Sequence, residues 1–122
     1  MLVQSLFESV AQNFTSAGGS AMTDAIRAGY IPMNKLDLST WPTIKFVLEG
    51  ALGTDITLEV APETYWQTDS PKAGHASAVL YGDSGKGGGQ SILGLPLLNN
   101  YYTVFDRSVD RGLGVVSFAK IK

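Results

Sequence analysis

The chain has 122 residues and a mass of 13.0 kDa, enough to bury one core and fit a single domain. Hydrophobic residues make up 44% of it and charged residues 16%, which argues against intrinsic disorder. Eleven acidic residues against nine basic give a net charge of −2, without a basic stripe for nucleic acid to follow and without an apolar run long enough for a membrane span.

Cysteine is absent, which removes disulfides, thiol nucleophiles and thiolate metal sites. A single histidine, His75, cannot build a multi-histidine centre, so neither a metal nor a cofactor is expected. The first residues show no basic segment followed by an apolar stretch, so no signal peptide is visible. Fourteen glycines, mostly clustered, point to many tight turns in a β-rich chain.

Leu2, Leu6, Val10 and Phe14 recur every fourth residue, with Val3 and Phe7 beside them, and predict a helix with one apolar stripe. The run from Ser16 to Ser20 should stop it. A second short helix is expected over Ala21–Ala28, with Ser20 as its N-cap and Gly29 ending it. Asn13-Phe14-Thr15 matches a glycosylation acceptor, and its plainer reading is a chance match on a helix. Residues 1–40 are thus expected to be helical and residues 41–122 β-rich.

Thr43–Leu48 is a β-branched and aromatic run, Gly50–Gly53 reads as a turn, and Asp55–Val60 alternates strictly. Together they predict an antiparallel hairpin with one buried face. Pro62 should break the second strand, and Tyr65-Trp66 reads as core packing. Ala76–Tyr81 is expected to be a strand, Gly82–Gly89 a turn, Ser91–Gly94 a short buried strand and Pro96–Asn99 one helical turn. Tyr101–Asp106 and Leu113–Phe118 should be strands joined by a turn over Val109–Gly112. The fold class is therefore mostly β with short helices, α+β.

Gly82-Asp83-Ser84-Gly85-Lys86 is not a phosphate-binding loop, because Leu80 stands where the early glycine is needed and Gly87 follows the lysine. Asp83-Ser84-Gly85 also matches the loop of an aspartic peptidase. Such a loop leaves a buried apolar strand and places a Ser or Thr after its Gly. Here Gly82 precedes the aspartate and Lys86 fills the later position, so the segment reads as a surface turn. His75 has no nucleophile motif near it.

Three blocks in order carry a family resemblance. Trp41–Gly50, with Pro42-Thr43-Ile44-Lys45-Phe46 at its heart, is the first. Ile56–Tyr65, with Leu58, Pro62 and Tyr65, is the second. Ile92-Leu93-Gly94 followed by Tyr101-Tyr102-Thr103-Val104-Phe105-Asp106-Arg107 is the third. Over about residues 41–118 the chain resembles the C-terminal lobe of pepsin-like aspartic peptidases. Leu113-Gly114-Val115 matches that lobe's closing strand loosely.

The resemblance implies an incomplete C-terminal lobe of a pepsin-like acid protease fold. Its partner would be the N-terminal chain or lobe of the same peptidase, and its substrate a peptide. Ile92 would line the leaving-group side of the cleft, bordered by Tyr81 and Gln90. The compartment it implies is secreted or vacuolar and lysosomal. Neither of the family's two Asp-Thr/Ser-Gly loops is in place, so no catalytic residue is assigned and the chain alone should not hydrolyse peptides. Leu95 stands where the family carries Asp after Ile-Leu-Gly, and the lobe's disulfide is missing. A non-catalytic binding or inhibitor module on the same fold is the alternative.

Overall fold

A computed structural model describes Leu2, residues 4–80, Gly82 and residues 91–122. The chain is α+β, with mostly short helices and small antiparallel sheets.

Helix α1 spans Gln4–Gly18 and α2 spans Ser20–Ala28. The apolar stripe of α1 buries Phe7, Val10 and Phe14, as its spacing requires. The break falls at Gly19 rather than Ser16, since Gly19 takes φ 77°, which side-chain-bearing residues avoid. Ser20 lies inside α2 instead of capping it, and Gly29 closes α2 in the left-handed conformation as expected. The two helices are clasped by Thr23 Oγ1 donating to the Ala11 carbonyl at 3.0 Å and by an Arg27–Glu8 ion pair.

The next strands are short. β1 covers Tyr30–Pro32, β2 Ile44–Glu49 and β3 Asp55–Val60. A single helical turn, α3, covers Pro62–Tyr65 and leads into β4, Trp66–Thr68; β5 is His75–Ala78. β1, β5 and β4 form an antiparallel sheet in that order, with Tyr30 opposite Ser77 and Trp66 opposite Ala78. Neither β1 nor β4 is foreseen in the sequence, and β1 puts a strand inside the stretch expected to be helical. β5 ends at Ala78, short of the expected Tyr81, which lies outside the described residues.

β2 and β3 make the expected hairpin, Phe46 opposite Leu58 and Ile44 opposite Val60. All four of these side chains are buried. Burial fades toward the turn, where Leu48 is half-buried and Ile56 exposed. The core is therefore centred on the open end of this hairpin, below α1. There Phe14 meets Trp41 edge-on at 5.5 Å, Trp41 meets Trp66 at 4.9 Å, and Tyr65 lies 6.0 Å from Phe14. Tyr65 and Trp66 are core residues, as their place in the sequence suggests.

After the glycine-rich segment, residues 91–94 are irregular and α4 spans Leu95–Leu98. The short buried strand expected at Ser91–Gly94 is thus not formed: Ser91 and Ile92 are exposed and their backbone is irregular. β6, Tyr101–Asp106, and β7, Val115–Lys120, form a second hairpin with Phe105 opposite Val116 and Thr103 opposite Phe118. Gly114 takes φ +84°, and an added Cβ would come within 2.9 Å of the Asp106 carbonyl oxygen, so only glycine fits where β7 starts. The expected closing strand thereby shifts from Leu113–Phe118 to Val115–Lys120.

Candidate functional site

Leu2 is almost fully buried and makes an isolated parallel bridge with Gly82, far along the chain. Beside it lies a shallow apolar cavity of about 40 Å³, lined by Leu2, Phe46, Leu80, Ile92, Leu93 and Gly94 among others. Ile92 stands on its rim, 61% exposed, while Leu93 is half-buried and packs against the core. Of the three residues expected to border a cleft, the structure describes Ile92, exposed beside this cavity. Tyr81, Gln90 and the Asp83 turn lie outside the described residues.

Leu93 and Leu97 form a wall shared with a much larger groove of about 600 Å³. Its other side is built by the turn end of the first hairpin, with Leu48 and Ile56, and by Phe105 and Val116 of the second. Glu49 is the charged residue on its lining. The sequence reading missed this groove. Its signal is the apolar residues on both faces of β6: Tyr101 and Phe105 point to one face, Tyr102 and Val104 to the other. An apolar strand of that kind is suited to cover on both sides.

The two hairpins are fastened at one end only. The buried Tyr101 hydroxyl accepts the Glu59 amide at 2.6 Å, and Tyr101 stacks edge-on with Phe118. Lys120 Nζ reaches the Glu59 carboxylate at 2.8 Å, with Lys45 Nζ on its other oxygen at 3.4 Å. Lys120, and then Lys45, hold the Glu59 carboxyl below the usual carboxylate range, and Glu59 in return raises Lys120. This ion cluster is solvent-exposed and positions strands; its carboxylate is committed to the two lysines.

Other polar groups serve the fold. The Tyr65 hydroxyl donates to the Pro42 carbonyl at 2.7 Å, and burial pushes its phenol well above the ordinary value. Asp106 accepts from the Ser108 hydroxyl and amide, which hold its carboxyl low. His75 sits on β5 with its ring 6.0 Å from Tyr30. Asn13 is exposed on α1, but Phe14 of the same acceptor motif is core and the Thr15 hydroxyl meets that of Thr23. Among the described residues no three His, Asp or Glu side chains come together to hold a metal. Nor is any helix among them long and apolar enough to cross a membrane.

The described residues therefore provide apolar walls and a strand framework. Comparison with known protein families and with curated proteins finds no match to this chain.

Proposed function

We propose that the chain is the C-terminal part of a pepsin-like aspartic peptidase, supplying core and one cleft wall for peptide hydrolysis by an aspartate pair outside it. The observation that carries the reading is the meeting of Leu2 with Ile92, Leu93 and Gly94 around one cavity. The resemblance has the Ile-Leu-Gly segment pack behind a catalytic loop, and the helix near the start of this chain is compatible with the one that follows that loop in the family. Residues ninety positions apart in sequence would then share one site because both neighbour the same loop. Exposed Ile92 would contact the substrate on the leaving-group side. Tyr81 and Gln90 would flank it.

The test is reconstitution. The chain alone should leave peptides intact at any pH. Combined with the polypeptide that carries two Asp-Thr/Ser-Gly loops, it should cleave peptides at acidic pH, and a pepstatin-type inhibitor should block the cleavage. Ile92→Arg should then raise KM by roughly tenfold or more while leaving the assembly intact. Hydrolysis by the chain alone, abolished by Asp83→Asn, would overturn the assignment of the acid pair to another polypeptide.

A second reading, a non-catalytic binding module on the same fold, draws on Leu95, which is 70% exposed where the family has Asp. It would be favoured if the reconstituted assembly bound peptides without cleaving them.

A further inference from the structure

We infer that the outer edge of β7 pairs with β7 of a second copy of this chain, joining the two hairpins into a four-stranded sheet across a two-fold axis. The edge is open, since β7 pairs only with β6 among the described residues. The Ile121 amide donates to the Asn100 carbonyl, across from it, at 3.1 Å. Alternation along the strand then turns the amides and carbonyls of Ala119, Ser117 and Val115 toward β6, and those of Val116, Phe118 and Lys120 outward. Those outward groups are a template for another strand.

Natural edges are usually blunted by charge, proline or a bulge. From Leu113 to Ala119 this one carries neither charge nor proline. Two-fold pairing centred on Ser117 sets the outward groups of Val116 against those of Phe118 of the second copy, as a ladder needs. The same register places Val115 opposite Ala119 and Leu113 opposite Ile121. The last two are 84% and 57% exposed within one copy. Lys120 falls opposite Gly114, so no like charges face each other across the seam.

Val115 and Val116, both 42% exposed on β7 itself, add apolar surface beside the seam that a second copy would cover. This inference rests on strand geometry and goes beyond the peptidase reading. Mass reports on it, and peptide hydrolysis reports on the other, so either can fail alone.

Sedimentation of the chain from about 10 to about 500 µM should show a mass rising from 13.0 kDa toward twice that value. Ser117→Asp, which sets two carboxylates face to face on the axis, should weaken association at least tenfold with an unchanged far-UV spectrum. The chain has no cysteine, so Ser117→Cys tests the seam directly. Paired residues there would lie within disulfide reach, and oxidation should give a reducible dimer. Thr57→Cys, exposed on β3, should stay monomeric under the same oxidation. A wild-type chain that stays at 13.0 kDa throughout overturns the proposal. So does a Ser117→Cys chain that crosslinks no faster than Thr57→Cys, a readout that stands even if Ser117→Asp fails to fold.

Discussion

Phe14 and Phe105 are the same side chain in opposite situations. Phe14 is 1% exposed, enclosed by Trp41 and Tyr65, whereas Phe105 is 66% exposed at the far end of the β6–β7 hairpin. Phe14 lies on the apolar stripe of an amphipathic helix, Phe105 in a largely apolar strand. What separates them is the number of layers around each: α1, the Trp41 turn and α3 close on Phe14 from several directions, while the hairpin holding Phe105 is fastened at its Tyr101–Lys120 end alone. Apolar content makes a residue able to be buried, and the surrounding elements decide whether it is.

The sharpest way to break the comparison is truncation. Phe14→Ala should cost about 3–5 kcal/mol, because the removed ring leaves a cavity that Trp41 and Tyr65 cannot fill. Urea unfolding would measure it, and a loss under about 1 kcal/mol would mean the cluster is loosely packed. Tyr65→Phe comes next. Removing the hydroxyl leaves the Pro42 carbonyl short of its donor, and about 1–2 kcal/mol should go with it.

Glu59→Gln probes the point where the second hairpin is fastened. Its folded carboxyl sits below the ordinary value of 4.5, so its contribution is present above 4.5 and is lost as pH falls through the lowered value. Wild type should therefore have the higher Tm at pH 6, with the gap closing at pH 3 and shrinking in salt. An equal gap at both pH values would show that Glu59 acts through something other than its charge. The smallest effect belongs to Phe105→Ala, which should stay within about 0.5 kcal/mol in dilute, monomeric chain. A larger loss there would mean that the groove closes in solution.

Much of the fold was legible in the sequence. β3 and β6 have the bounds that alternation assigns them, and α2 ends at Gly29 because the chain turns left-handed there. The three-residue strands β1 and β4 were not legible, since Tyr30–Pro32 and Trp66–Thr68 are too short to show a period and are strands only because β5 runs between them. Ser91–Gly94 fails in the opposite sense. Its composition suits a strand, but the backbone of residues 91–94 is irregular and leads into α4. Of the candidate site, Ile92 and Leu93 were visible as an apolar pair, whereas their meeting with Leu2 is a contact across ninety positions that periodicity does not encode.

By itself the sequence determined the local content: which stretches can be helix or strand, where glycine must turn the chain, and, with no cysteine, that thiol chemistry has no residue to carry it. The tertiary structure alone decided which apolar faces are covered. Burial depends on elements brought from far along the chain to both sides of a face. That is why the Phe14 stripe became core and the apolar β6–β7 hairpin was left with a groove and, among the described residues, an unpaired edge.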